Sequence, residues 1–259
     1  MSEASKAEDS EAGKAKMTDL ALAQAIAEGA GKLLLELRAS GLFAAKALGK
    51  AGDRVANSFI IEALRENRLD DAVLSEEEQD SMARLSAERV WIVDPLDGTR
   101  EYSEGRADWA VHIALAIGGK PVVGAVALPS MGEVMLSQPQ SLPPVAEKLR
   151  VLVSRTRPAK EALAVAQALD AALVPMGSAG AKAMAVLRGE ADIYLHTGGQ
   201  YEWDNCAPAA VALAAGLHAT RADGSPLIYN NAAPYLPDLL ICQKALAPKV
   251  LAILSKVPA

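Results

Sequence analysis

Four short segments place carboxylates where apolar runs end or where helices start. They are Asp53, the LSEE run at 74–77, the DPLDGT run at 94–99 and the EWD run at 202–204. Carboxylates at such positions can bind a divalent cation or transfer protons, so the chemistry open to them is metal-assisted or general acid–base catalysis.

The DPLDGT run is the most informative segment, because an apolar strand at 90–93 ends in two aspartates three residues apart. Pro95 fixes the turn, and Gly98 allows a close backbone approach. Asp94 and Asp97 held close together repel each other, which raises one pKa unless a cation lies between them. Oxygen-only ligands suit Mg²⁺ or Mn²⁺ rather than zinc. The plainer alternative is a turn in which Asp97 or Thr99 caps a helix.

The amino-acid composition and net charge exclude several classes of protein. The 259 residues are 51% hydrophobic and 22% charged, which is typical of a globular enzyme with a substantial core. A net charge of −6 gives no footprint for a nucleic-acid polymer or an anionic membrane. Cys206 and Cys242 stand in no zinc-binding arrangement, and we predict no catalytic role for Cys206. The start of the chain lacks the apolar core of a signal peptide, so a cytoplasmic location is expected.

The elements that must position the acids follow from periodicity. An amphipathic helix is predicted from Thr18 or Asp19 to the Ser40-Gly41 stop, and a second from 55 to 67 that buries Phe59, Ile60 and Leu64 and is capped by Asp53. Apolar runs predict strands at 72–74, 90–93, 109–117 and 121–128, with Gly118-Gly119 as a hairpin between the last two.

The Pro143-Pro144 region is the best internal boundary. After it, strands at 150–153 and 191–195 alternate with helices at 158–169, 178–188 and 207–215. We therefore expect a disordered tail at 1–17, an N-terminal α+β half at 18–146 that carries the metal motifs, and a C-terminal α/β half at 147–259 that carries the substrate wall.

Taken in order, the four acidic segments resemble the motifs of the inositol monophosphatase superfamily, whose signature reads DP(I/L)DGT. The resemblance covers roughly residues 20–242 and implies a layered α/β fold, an α-β-α-β-α sandwich as in inositol monophosphatases and fructose-1,6-bisphosphatases. It also implies a metal-dependent phosphomonoesterase. The runs LSEE, DGTREY at 97–102 and GSAG at 177–180 with Lys182 are most similar to the CysQ-type 3'(2'),5'-bisphosphate nucleotidases.

The resemblance implies two to three Mg²⁺ ions per subunit, with Mn²⁺ as an alternative. Glu76, Asp94 and the Leu96 carbonyl would hold one ion, Asp94, Asp97 and Asp204 a second, and Glu76 with waters a weaker third. Thr99 and Asp53 would orient and deprotonate the attacking water.

The substrate implied is 3'-phosphoadenosine 5'-phosphate, or its sulfated analogue, which places the chain in sulfur assimilation. The reacting phosphate is expected at the N–H groups of Gly98 and Thr99, where a helix begins near Arg100. The residues predicted to contact substrate are Glu76, Leu96, Asp97, Gly98, Thr99, Arg100, Ser178, Lys182 and Asp204.

Two cations, Arg100 and Lys182, are candidates for the second phosphate, and Tyr201 or Trp203 for the adenine. Instead of contacting a phosphate, Arg100 could equally form an ion pair with Glu104, four residues later on the same helix. The GSAG turn, in turn, either cradles an anion or only shapes a loop.

The sequence departs from the family at Lys50, where a threonine is usual three residues before Asp53, and the stretch before the EWD run is slightly longer than usual. His112 is expected to be a packed structural histidine, and His196 to lie near the substrate wall. The resemblance also implies lithium sensitivity and leaves a homodimer open.

An inositol-1-phosphate phosphatase and a fructose-1,6-bisphosphatase share this metal site and remain rivals. A catalytically weak ligand-binding regulator is an alternative from another class, although a complete ligand set argues against it.

Overall fold

The structure is a computed structural model that describes residues 17–257, so residues 1–16 of the tail predicted at 1–17 lie outside the described residues. Within that range the helices are α1 (Asp19–Ala39), α2 (Ala45–Asn67), α3 (Thr99–Ser103), α4 (Lys160–Ala168), α5 (Ala179–Leu187), α6 (Glu202–Ala214) and α7 (Ala247–Leu254). The strands are β1 (Ala72–Ser75), β2 (Arg89–Asp97), β3 (Ala110–Ile117), β4 (Lys120–Leu128), β5 (Glu133–Leu136), β6 (Arg150–Ser154), β7 (Ala172–Met176), β8 (Ile193–Tyr201), β9 (His218–Thr220) and β10 (Tyr235–Cys242).

Among the described residues, two five-stranded sheets alternate with three helical layers. The first sheet has the strand order β1-β2-β3-β4-β5 and the second β7-β6-β8-β10-β9. One core cluster joins α1 and α2 to the first sheet, a second joins α5 and α6 to both sheets, and a third joins α4 and α7 to the outer face of the second sheet. The α-β-α-β-α sandwich is therefore confirmed.

Strand β2, an inner strand of the first sheet, is buried on both faces, which explains its continuous apolar run. Trp91 and Val93 pack toward α1 and α2, whereas Val90 and Ile92 pack toward the middle helices. β2 pairs with β1 in parallel and with β3 in antiparallel register. Charged groups at the end of this strand are therefore surrounded by helices on both faces and by the neighbouring strands.

The first helix follows its sequence signals closely. The Thr18 hydroxyl accepts a hydrogen bond from the Ala21 N–H at 3.2 Å, which is an N-cap, and the helix ends at Ser40. The Gly118-Gly119 hairpin between β3 and β4 is also confirmed, with both glycines at positive φ.

The second helix corrects two predictions. It starts at Ala45 rather than near Val55, so Asp53 lies inside the helix and cannot be its N-cap. Ile60 and Leu64 are buried as predicted, but Phe59 is 37% exposed and lies over Gly29 of α1. Gly49 and Gly52 face the core instead of interrupting the helix.

Several elements, one in the first half and the others in the second, escaped the sequence patterns. β5, β7, β10 and α7 were not predicted, and α6 begins at Glu202, five residues before the predicted start. No helix in the described part of the chain is both long and apolar enough to cross a bilayer.

Candidate active site

A β-bulge places Asp94 and Asp97 on the same face of β2. In a regular strand, residues three apart point to opposite faces. Here Asp94 is opposite His112 and Asp97 is opposite Ala110, so β2 contains one residue more than β3 between the two pairs. The extra residue turns Asp97 toward the middle helical layer, where Asp94 already points.

Glu76 reaches the same place because β1 runs parallel to β2. Ser75 pairs with Val93, and the Glu76 N–H donates to the Val93 carbonyl at 3.2 Å, so Glu76 lies beside Asp94. The Ser75 hydroxyl donates to the Asn57 amide oxygen at 2.8 Å, which fastens the end of β1 to α2.

Asp204 lies in the first turn of α6, which directly follows β8 of the second sheet. Its carboxylate accepts the Tyr201 N–H at 2.6 Å, and Tyr201 and Asp204 form a capping box at this helix start. The adjacent Glu202 is fully buried and accepts hydrogen bonds from the N–H groups of Asn230 and Asn231 at 2.7 and 2.8 Å. These contacts fix where α6 begins, and hence where Asp204 points.

The three aspartates converge. Asp94, Asp97 and Asp204 each offer an oxygen within 4.8 Å of the others. Burial and then the charges of Glu76, Asp97 and Asp204 raise the pKa of Asp94 well above its usual value, and the Asp94 carboxyl donates a hydrogen bond to Glu76. Burial and neighbouring acids also raise the pKa of Glu76 to about 7 and that of Asp204 to about 6.

Asp97 behaves in the opposite way. Burial alone would raise its pKa, but His112, Ser178 and Lys182 outweigh burial and lower it to about 2. The His112 ring is fully buried, with Nε2 3.2 Å from Asp97 Oδ2 and Nδ1 3.0 Å from the Trp203 carbonyl. His112 is thus packed in the core as predicted, yet it also contacts a member of the acidic cluster, which the alternating pattern of β3 did not indicate.

Asp53 and Thr99 meet as the family resemblance implies. The Thr99 hydroxyl lies 3.2 Å from Asp53 Oδ1 and 3.1 Å from the Leu96 carbonyl, and it can donate to either. Burial, followed by the charge of Glu77, raises the pKa of Asp53 to about 6.

Two glycines on α2 allow this meeting. A Cβ on Gly49 would lie 2.7 Å from Thr99 Cγ2, and one on Gly52 would lie 2.9 Å from the Leu96 side chain. α2 can approach the DPLDGT segment closely only because these side chains are absent.

A model of the inositol monophosphatase family matches residues 14–259. The chain belongs to the inositol monophosphatase family. A family relative, the 3'-phosphoadenosine 5'-phosphate phosphatase of Mycobacterium leprae (strain TN), is 51% identical over 260 residues, which cover 94% of this chain and 96% of the relative. The 3'(2'),5'-bisphosphate nucleotidase CysQ of Escherichia coli (strain K12) is 32% identical over 205 residues, 72% of this chain and 81% of that protein.

Among solved structures of the family, CysQ from Bacteroides thetaiotaomicron superposes with a TM-score of 0.77 at 25% identity. The match covers 87% of this chain and 97% of that one.

The inositol monophosphatase family is metal-dependent, and the acidic cluster of this member fits a cation. Carboxylates gathered in a buried place raise each other's pKa, which is the electrostatic strain that a bound cation relieves. The donor set is all oxygen, which suits a hard divalent ion.

The predicted substrate-contacting residues are placed less uniformly. Gly98 has φ of 89° with α3 beginning after it, but α3 is a single turn. Arg100 forms the surface ion pair with Glu104, Nε to Oε1 at 2.8 Å, which is the second of its two predicted roles. The Ser178 hydroxyl donates a hydrogen bond to Asp97. Lys182 is buried and donates to the Gly177 carbonyl at 3.2 Å.

A basic cavity next to the acidic cluster contains two arginines, Arg155 and Arg157, that the sequence patterns did not indicate. It measures about 490 Å³ and is lined by Arg100, Arg155, Arg157 and Lys182, with Glu101. Arg155 is bound to the carboxylates of Glu101 and Glu104 at 2.8 and 2.9 Å. Arg157 makes no ion pair with any described carboxylate. The only available signal was two arginines at the end of the predicted strand at 150–153.

We expect Mg²⁺ to raise the melting temperature, Tm, more at about pH 8 than at about pH 5. The folded-state pKa values of Glu76 and Asp204 lie above their ordinary values, so the metal-free fold binds extra protons and loses stability as pH rises from about 4 to 7. Mg²⁺ competes with those protons and, at about a hundredfold its Kd, should raise Tm by about 5–10 °C. Thermal melts with Mg²⁺ or a chelator test this.

Asp94→Asn is the comparison variant for that measurement. It resembles the protonated carboxyl, so the metal-free protein should be at least as stable and the Mg²⁺-induced rise in Tm should disappear. A rise that is equal at both pH values, or that persists in Asp94→Asn, would contradict the assignment of these carboxylates as ligands.

Proposed function

We propose that this chain is a Mg²⁺-dependent 3'-phosphoadenosine 5'-phosphate phosphatase, which hydrolyses the 3'-phosphate to leave AMP and phosphate. The observation that carries the proposal is the junction of an acidic cluster with a basic cavity, because a bisphosphate needs cations at two places. The relationship to a phosphatase of that name along nearly the whole chain supports the same substrate. The sulfated analogue is a second substrate of the same chemistry.

The metal ligands that we propose are the side chains of Glu76, Asp94, Asp97 and Asp204 and the Leu96 carbonyl, for two to three ions. Bound divalent ions neutralise phosphate oxygens, lower the pKa of water and stabilise the leaving oxygen. A cytoplasmic location, where such ions and nucleotides are available, is part of the same proposal.

Asp53 and Thr99 orient the nucleophilic water. With a pKa of about 6, Asp53 is mostly ionised at neutral pH and accepts the Thr99 hydroxyl proton. That arrangement leaves a lone pair of the Thr99 oxygen to accept a hydrogen bond from a water. As the water proton transfers to Thr99 Oγ1, the hydroxyl proton of Thr99 moves to Asp53. The pair therefore acts as a general base.

The second phosphate occupies the basic cavity. Arg157 is its main cation, because Arg155 is already neutralised by two carboxylates and Arg100 by Glu104. Lys182 lies at the inner wall, where burial lowers the pKa of its ammonium group even though Asp97 and other acids favour the charge. A charged oxygen of the substrate would further favour the protonated form.

The adenine lies against an aromatic group beside Asp204. The rings of Tyr201 and Trp203 are stacked with centroids 4.8 Å apart, and Tyr235 packs edge-on against Tyr201 at 5.9 Å. Tyr201 and Tyr235 are 47% and 51% exposed, whereas the other three tyrosines are buried. Exposed aromatic faces next to a phosphate site suit a nucleobase.

These features also separate the proposal from its rivals. Inositol 1-phosphate has a single phosphate and no aromatic base, and fructose 1,6-bisphosphate has no base. A non-catalytic regulator would have no need for the Asp53–Thr99 pair.

The first test compares kcat/KM with Mg²⁺ for 3'-phosphoadenosine 5'-phosphate, inositol 1-phosphate and fructose 1,6-bisphosphate. We expect the nucleotide to be preferred by about a hundredfold or more, equivalent to about 2.7 kcal/mol of transition-state discrimination. A flat profile would indicate a broad phosphatase, and no phosphate release would favour the regulator.

Thr99→Val tests the general base. Valine keeps the shape of threonine but cannot bridge water and Asp53, so kcat should fall about 10²- to 10⁴-fold with little change in KM. Thr99→Ser, which retains the hydroxyl, should keep most of the activity. A Thr99→Val enzyme within about threefold of wild type would remove this pair from the mechanism.

Arg157→Ala tests the second phosphate. Loss of a charge-assisted hydrogen bond should lower kcat/KM for 3'-phosphoadenosine 5'-phosphate about 10- to 100-fold. The loss should be within about threefold for adenosine 3'-phosphate, which lacks the 5'-phosphate. Arg65→Ala removes an equal charge from an exposed helix position and is the control. Equal losses for both substrates would place Arg157 outside the phosphate site.

A further inference from the structure

The carboxylate of Asp97 is held by the start of α5. Its Oδ1 accepts the Ala179 N–H at 3.1 Å, and its Oδ2 accepts the Gly180 N–H at 2.6 Å and the Ser178 hydroxyl. His112 Nε2 lies 3.2 Å from the same Oδ2. A carboxylate oxygen has about two lone-pair directions, so Oδ2 is fully occupied and Oδ1 alone retains a free direction.

Ser178 has an unfavourable backbone conformation. Its φ is 52° and its ψ is 136°, a region that side chains of L-residues rarely adopt. The residue is 8% exposed, and its Cβ is packed close to Gly98. A glycine would adopt this conformation without cost.

Helix capping does not account for a serine here. The Ser178 hydroxyl does accept the Ala181 N–H at 2.9 Å, which caps α5. Replacing a capping serine by glycine costs only a few tenths of a kcal/mol in general, less than the cost of the strained backbone. What glycine cannot supply is the hydroxyl proton that Ser178 donates to Asp97.

We infer that Ser178 is a positioning residue that fixes the Asp97 carboxylate so that Oδ1 faces the cation site. This inference rests on the proposed function, in which Asp97 is a metal ligand. Groups that hydrogen-bond a metal ligand commonly change metal affinity 10- to 100-fold when they are removed. The Ser178 and Gly177 carbonyls also accept hydrogen bonds from Lys182, so one turn of chain holds both the ligand and the cation of the basic cavity.

The test pairs Ser178→Gly with Ser178→Ala and measures Mg²⁺ affinity by titration calorimetry and Tm without metal. Both variants lose the hydroxyl, but only glycine relieves the strain, so Ser178→Gly should have a metal-free Tm about 2–6 °C above that of Ser178→Ala and should weaken Mg²⁺ binding about tenfold or more. Ser178→Ala keeps the strain, so it should show the same loss of affinity with no gain in Tm.

Asp170→Gly is the matched control. Asp170 also has positive φ, at 50°, but its side chain is 98% exposed on the turn after α4. This change should alter Tm without altering Mg²⁺ affinity. Wild-type affinity in both Ser178 variants would overturn the inference and leave the proposed function intact. A wild-type protein that binds no Mg²⁺ would overturn the metal site itself.

Discussion

Mutual repulsion of buried carboxylates is the constraint around which the molecule is organised. Asp94, Asp97 and Asp204 are brought within 4.8 Å of one another by β2 of the first sheet and by α6 of the middle helical layer. Like charges at that separation in a low-dielectric interior are costly unless a proton or a cation lies among them. Burial first, and then the neighbouring charges, raise the pKa values of Asp94 and Asp204. The cluster can exist because β2, β1 and α6 are anchored independently of it.

The carboxylates of the cluster differ in the hydrogen-bond donors around them, and this difference gives them different pKa values. Asp97 receives donors from α5 and from His112, so it stays ionised with a pKa near 2. Asp94 accepts the Leu96 N–H at 3.0 Å, but burial and the charges of Glu76, Asp97 and Asp204 raise its pKa well above the ordinary value, which favours its protonated form. A cation entering the cluster therefore meets one fixed charge and displaces protons from its neighbours. Cation binding should therefore be stronger at neutral pH than at acidic pH, where protons compete for the carboxylates.

Elements whose signals lie in adjacent residues could be predicted from the sequence, whereas elements that depend on tertiary contacts could not. The end of β2 was predicted at Val93, but the strand continues through the bulge to Asp97, which still pairs with β3. The cap and stop of α1 are read from adjacent residues, and they were predicted correctly. The start of α2 was not, because Gly49 and Gly52 are unfavourable inside a helix, and their purpose, room for Thr99 and Leu96, lies in tertiary contacts. The strand β10 was missed for a related reason, since its burial depends on β8 and β9.

The candidate site shows the same division. The family motifs indicated every acid of the cluster and the Asp53–Thr99 pair, because their spacing along the chain is specific. Arg155 and Arg157 carry no such spacing, and Arg100 was ambiguous until its partner was seen. Arg155 after β6 and Arg100 on α3 together pair with Glu101 and Glu104, and this leaves Arg157 to face the cavity. The cavity's charge is thus set by pairing across elements, and in the proposed function the second phosphate is recognised by the cation that remains unpaired rather than by the number of cations present.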